Sequence, residues 1–227
     1  MYTKVIIQPN IKKSYSNYSN PSVKAANIAM VKSINSKYGG TIQYWGEVFE
    51  IPKGVIIAFI AAESGGVMAS PNACCNATGL MQVTPIAAFT VRDWRKEVKT
   101  PLPSAALQEI SKLKGLLNGT FSQSSLLQLL KTDSSFNIML GTLILRWNLE
   151  RFSTIFTGGQ LNKAMIAYNA GAYTKALVIG SSTANKIPID STTLVNNPKV
   201  PIESRAYLLK ILGIDGFLNL IYKDKII

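Results

Sequence analysis

The chain has 227 residues, 24 Lys and Arg against 12 Asp and Glu, a formal net charge of +12, two cysteines and no histidine. Without imidazole there is no Ser-His-Asp or Cys-His nucleophile, no HExxH zinc site and no His general base at neutral pH. Any catalysis must rest on carboxylates, Lys, Tyr, Cys or a cofactor.

Charged residues make up 16% of the chain and hydrophobic ones 47%. Typical soluble chains carry about 25% charged residues, so uncharged polar side chains supply the missing polarity. The chain reads as folded, with a substantial core. The basic excess implies an acidic counterpart: nucleic acid, anionic membrane or acidic cell-wall polymer. Lys and Arg are dispersed, with no run of five and no zinc-finger, RRM or basic-zipper pattern. Arg92, Lys96 and Lys99 have helical spacing but alternate with Asp93 and Glu97, which is the pattern of a solvated helix face. Nucleic-acid binding therefore has no sequence support.

Residues 1–21 are polar and rich in Tyr and Asn, and are expected to form a flexible arm. They lack the apolar core of a secretory signal, so action outside a cytoplasm would need another export route. No stretch reaches the roughly eighteen unbroken apolar residues of a membrane span. From Ser22, the spacing of Val23, Ala26, Met30, Ile34 and Tyr38 predicts a helix that Gly39-Gly40 stops. Pro52 suits the start of a second helix, running through the apolar Val55–Ala62 segment to Glu63-Ser64 and ending at Gly65-Gly66.

A structured loop is expected over 67–83. Within it Cys74 and Cys75 are adjacent, with Cα atoms about 3.8 Å apart, under the roughly 4.4 Å lower limit usual for a disulfide. They read as two thiols, or as a pair with some special role, and too few ligands lie nearby to argue a metal site. Pro85 opens a helix through about Lys99, and Pro101-Leu102-Pro103 ends that pattern. Two short Leu-rich helices are predicted across 104–131, then a longer one over 134–152 with Phe136, Leu140, Leu143 and Trp147 on one face. Leu161, Ala164, Met165 and Tyr168 mark the next helix, ending near Gly171. A long loop with a short strand is expected over 177–200. Pro201 opens a helix through Leu212, and a last segment reaches Tyr222. With no repeat and no linker, 22–227 is expected to be one mainly α domain.

Glu63 is the odd residue. It follows eight apolar residues and closes their helix. The helix C-terminus disfavours a carboxylate by about 0.3–1 kcal/mol, under one pKa unit. Desolvation by an apolar wall adds several units when burial is deep. A carboxylic acid protonated near neutral pH suits general-acid cleavage of a glycosidic bond. Taken alone, the same residue also fits a helix-end Glu that reaches solvent or a basic neighbour.

Three segments follow it: Ala77-Thr78-Gly79-Leu80-Met81-Gln82-Val83-Thr84-Pro85, Ala167-Tyr168-Asn169-Ala170-Gly171, and Pro201 to Leu212 (PIESRAYLLKIL). Each has a plain structural reading as a turn, a helix end or an amphipathic helix. In this order, behind Glu63-Ser64-Gly65-Gly66, they resemble the soluble lytic transglycosylase family, whose fold is related to goose-type lysozyme. The resemblance covers about residues 45–213, and Asn137 to Phe152 is similar to the helix preceding the family's AYNAG motif.

The resemblance implies a mainly α, lysozyme-like fold and a peptidoglycan lytic transglycosylase that acts on glycan strands in the periplasm or cell wall, without metal or organic cofactor. It implies Glu63 as the catalytic acid and Ser64 as a polar neighbour of the substrate's N-acetyl or lactyl groups. Gly79, Leu80, Met81 and Gln82 would line the glycan groove, and Tyr168 and Asn169 the wall beside the acid. Glu203 and Tyr207, four apart and so on one helix face, would stand at the cleft.

About fifty-five residues separate Gln82 from Asn137, so 92–131 is expected to hold inserted helices, and the 177–200 loop is irregular. Most glycosidases use two carboxylates, whereas the resemblance implies one. Two other functions stay open: a hydrolase of the same bond, and a non-catalytic glycan-binding virion protein. The size and charge also suit a phage-borne enzyme or one attached to a secretion complex.

Overall fold

The computed structural model describes residues 20–68, 75–92, 102–117, 122–152, 161–171 and 191–227. Of the expected arm, residues 1–19 lie outside the described residues.

Helix α1 (Pro21–Phe49) is 29 residues long, with Asn20 accepting the Ser22 N–H as its N-cap. It runs straight through Gly39-Gly40, where the glycines were expected to stop it. Glycine costs a helix about 1 kcal/mol relative to alanine. Here the apolar spacing continues past the pair, so that Ile34, Tyr38, Ile42 and Phe49 are all buried and their packing outweighs that cost. The helix ends instead at Glu50, in the left-handed region at φ 55°, whose N–H reaches the Gly46 and Glu47 carbonyls.

Helix α2 (Lys53–Glu63) follows Pro52 at its N-cap. Its residues from Gly54 to Ala62 are all buried. A helix apolar on every side belongs inside the core, and α2 is enclosed by α1, by α9 (Ile202–Leu212) and by α10 (Phe217–Tyr222). Full burial of each Ile or Phe side chain contributes roughly 1.5–3 kcal/mol, which is what holds the helix end, and thus Glu63, in place.

Helix α3 spans Pro85–Arg92; the expected continuation to Lys99, with Lys96, lies outside the described residues. The inserted helices are α4 (Ser104–Leu117) and α5 (Gln123–Thr132), which bury one face each and pack on α3, α1 and α6 (Ser134–Phe152). Helix α6 departs from the one-faced pattern expected of it: every residue from 137 to 150 is buried. Asn137, Thr142 and Arg146 on it are accommodated by internal bonds. Arg146, fully buried, donates to Glu150 Oε1 (2.9 Å), the Phe49 carbonyl (2.9 Å) and Glu50 Oε2 (3.0 Å), tying α6 to the end of α1.

Helix α7 (Leu161–Ala170) packs between α6 and α9. The described part of the expected 177–200 loop contains a helix and no strand: Ser191–Asn196 forms α8, whose Leu194 and Val195 are buried and which packs on α9. The Pro201-led helix and the terminal segment are α9 and α10. One apolar core runs from α1 to α10. Among the described residues no helix is long and apolar enough to cross a membrane.

Candidate active site

Glu63 is the last residue of α2. Beyond it the chain reverses at Gly65 and Gly66, both at positive φ. Its carboxyl Oε1 accepts a 2.6 Å hydrogen bond from Tyr207 Oη on α9. Burial pushes the Glu63 carboxyl up to about 7, against the opposing pull of the Tyr207 hydroxyl and the Lys210 ammonium; the Glu203 carboxylate pushes the same way as burial. Glu63 therefore holds its proton to near neutrality without a histidine.

A tight hairpin faces it. Thr78 and Val83 exchange backbone bonds of 3.1 and 3.0 Å around Gly79-Leu80-Met81-Gln82. The turn places Gly79 at φ 77° and Gln82 at φ 46°. Asn137 on α6 fastens it: Nδ2 donates to the Thr78 and Leu130 carbonyls (2.9 and 3.1 Å), and Oδ1 accepts the Met81 N–H (2.9 Å). A Cβ on Gly79 would lie 2.0 Å from Asn137 Nδ2, and one on Gly141 of α6 would lie 2.5 Å from Met81 Sδ. Both close approaches need glycine.

The hairpin is also tied to the helices that carry the site. Tyr168 Oη on α7 donates to the Met81 carbonyl (2.8 Å), and Ser64 Oγ donates to the Leu80 carbonyl (2.7 Å). Ser204 Oγ on α9 donates to Asn169 Oδ1 (2.8 Å), joining α9 to α7. Phe59, one turn before Glu63, meets the Tyr168 and Tyr207 rings edge-on at 5.2 and 6.1 Å. Burial, then the nearby Glu63 carboxylate, raise both tyrosines well above their usual range, so they act as neutral hydrogen-bond donors.

Together these elements enclose a cavity of about 420 Å³ onto which Glu63, Gln82, Tyr168, Asn169, Glu203 and Tyr207 open. That volume lies in the range of small-ligand sites. Six of the ten residues singled out from sequence thus meet at one place. The other four stand behind the wall: Leu80 and Met81 are fully buried, Gly79 makes the turn, and Ser64 spends its hydroxyl on the Leu80 carbonyl. Sequence reasoning passed over Lys210, which also lines the cavity, and Asn137, which organises the hairpin. Lys210 could have been found from its spacing, since Glu203, Tyr207 and Lys210 at i, i+4 and i+7 share a face of α9.

A second cavity of about 600 Å³, walled largely by Ile86, Val91, Ile144, Trp147 and Ala167, shares Tyr168, Asn169, Thr84 and Cys75 with the first. The two therefore adjoin. Cys75 is exposed at their junction, while Cys74 lies outside the described residues. Among the described residues, no group of three or more His, Cys, Asp or Glu could hold a metal ion.

A mainly helical chain, with a half-buried glutamate ending its central helix opposite a short hairpin, has a lytic transglycosylase-like, lysozyme-like fold. The comparisons agree on the fold. The chain is similar to the crystal structure of the 70 kDa soluble lytic transglycosylase from Escherichia coli, with a TM-score of 0.56 and 21% sequence identity. The similarity covers 94% of this chain and 32% of that one, so the chain spans about a third of its length. No protein-family model matches the sequence, and no curated protein matches it.

Proposed function

We propose that the protein is a peptidoglycan lytic transglycosylase with Glu63 as its single acid and base. The observation that carries this reading is the Glu63 carboxyl itself: half-buried at the end of an apolar helix, protonated to about pH 7, and open to a ligand-sized cavity. With Tyr207 donating to Oε1, the acid proton belongs on Oε2. From there it passes to the oxygen linking N-acetylmuramic acid to N-acetylglucosamine as the C1–O bond breaks. The substrate's own N-acetyl oxygen stabilises the positive charge at C1. The muramoyl C6 hydroxyl then attacks C1 and returns its proton to Glu63, closing a 1,6-anhydro ring.

Glu203 is exposed in the first turn of α9 and serves substrate binding or support, not nucleophilic attack. Gln82, Tyr168 and Asn169 contact sugar; Ser64, Gly79, Leu80 and Met81 hold the wall that presents them. Lactyl and peptide carboxylates make the polymer acidic, which suits a chain of net charge +12. The site of action is the periplasm or cell wall, reached as part of a virion or by a secretion route. Detection of the protein in purified particles tests that setting.

The decisive experiment is mass analysis of products from purified peptidoglycan, comparing the parent protein with Glu63→Gln. Anhydro-muramoyl ends that vanish in Glu63→Gln are expected. Reducing ends would mean that water replaces the C6 hydroxyl. Undiminished lysis by the folded Glu63→Gln protein would remove the reading.

A further inference from the structure

The last four carbonyls of a helix have no partner within it. In α2, the Ile60 carbonyl receives the Ser64 N–H. The Ala62 carbonyl, adjoining Glu63, receives the Lys210 ammonium at 2.5 Å. Lys210 comes from α9 and is partly buried, and its side chain lines the same cavity as Glu63. One turn earlier on that face, Tyr207 holds Glu63 Oε1. Helix α9 therefore grips the end of α2 twice, once at the acid and once at the peptide group before it.

We infer that Lys210 is a positioning residue for Glu63: anchored on the Ala62 carbonyl, it offsets the negative end of α2 and supplies the countercharge for the Glu63 carboxylate. The inference rests on the proposed function. An acid that protonates a leaving oxygen must become a carboxylate, and here it does so at the wrong end of a helix dipole and in an apolar wall. Among the described residues, the other groups that act on it or line its cavity give no positive charge. Tyr207 on α9 and Tyr168 on α7 are neutral donors, Glu203 on α9 opposes a second negative charge, and Cys75 lies across the cavity. A fixed ammonium stabilises the carboxylate as it forms and keeps it competent to accept the C6 hydroxyl proton. Burial lowers the Lys210 ammonium while Glu63 pulls it back up, as expected of two groups that feel each other's charge.

The test compares Lys210→Gln, which keeps a donor for the Ala62 carbonyl but no charge, with Lys210→Arg, which keeps both. The Glu63 carboxyl is titrated by carbon NMR in the full chain and assigned by its absence in Glu63→Gln. In Lys210→Gln its midpoint should rise by about one pH unit, the low end of what a nearby opposite charge gives, and in Lys210→Arg it should stay near the parent value. The basic limb of the activity profile on purified peptidoglycan should follow, with KM within about twofold, since only the acid and not ligand binding is altered. An unmoved midpoint in folded Lys210→Gln overturns the inference. So does a large rise in KM with the midpoint unmoved, which would make Lys210 a substrate contact. The titration needs no substrate, so retained lysis by Glu63→Gln would sink the proposed function separately.

Discussion

Tyr207 Oη sits 2.6 Å from Glu63 Oε1, bridging 144 residues of sequence to join the end of α2 to the middle of α9. The bond fixes the carboxyl's orientation and leaves its second oxygen for the ligand. It also favours the charged form of Glu63, against the burial that opposes it. Tyr207→Phe keeps the ring packed on Phe59 and deletes the donor. The Glu63 midpoint should then rise above about 7, and activity on peptidoglycan should fall by roughly 10- to 100-fold through loss of a charge-assisted bond of about 1.5–3 kcal/mol. Titration and initial rates on the same preparation check both.

Glu63 should make stability depend on pH. Its folded-state value of about 7 lies above the ordinary 4.5, so the folded chain binds this proton more tightly than the unfolded one. Stability from this group is therefore greatest below about pH 4.5 and is lost as pH rises through about 7, by roughly 3 kcal/mol in all. Glu63→Gln removes that dependence. Urea unfolding should find the variant more stable than the parent protein at about pH 8, with the parent's relative disadvantage largely gone at about pH 5.

The hairpin should fail through either of its two fastenings. Gly79→Ala places a Cβ 2.0 Å from Asn137 Nδ2 at a backbone of positive φ, so side chain and turn cannot both keep their places. Asn137→Leu leaves the Thr78 and Leu130 carbonyls and the Met81 N–H without their buried partner. Each should cost about 2–4 kcal/mol. Because the same hairpin carries Gln82, activity should drop further than the unfolded fraction explains; thermal unfolding and specific activity together measure the difference.

Arg146 is a structural test remote from the chemistry. Its side chain and that of Glu150 are almost completely buried, at 0% and 1% exposure. Arg146→Met leaves Glu150 charged and unpaired and the Phe49 carbonyl without a donor, which should cost about 3–5 kcal/mol. Denaturant unfolding reads that loss. The Glu63 titration should be unchanged in the fraction that folds.

From local sequence alone came the order of the helices other than α8 and the end of α2 near Glu63, because apolar periodicity, proline starts and glycine stops act over a few residues. The same local rules misplaced the end of α1, where glycines in a helix are tolerated once both flanks are buried. They also gave α6 a single apolar face, since a polar residue such as Arg146 looks solvated until the chain supplies Glu50, Glu150 and the Phe49 carbonyl.

What only the tertiary structure decided is the division of labour at the site. Ser64 and Met81 look like ligand contacts in a motif, yet their polar atoms and side chains are turned into the wall. Lys210 looks like a surface lysine, yet it reaches the carbonyl beside Glu63. The missing histidine restricted the chemistry from the outset to carboxylates, Lys, Tyr, Cys or a cofactor. The elevated proton affinity of the Glu63 carboxylate is different: it arises from burial against the helices and, to a lesser extent, from the charge of Glu203, and it is held in check by Tyr207 and Lys210, all three more than a hundred residues away in sequence. Desolvation and Coulomb interaction act through space, so folding had to set that property.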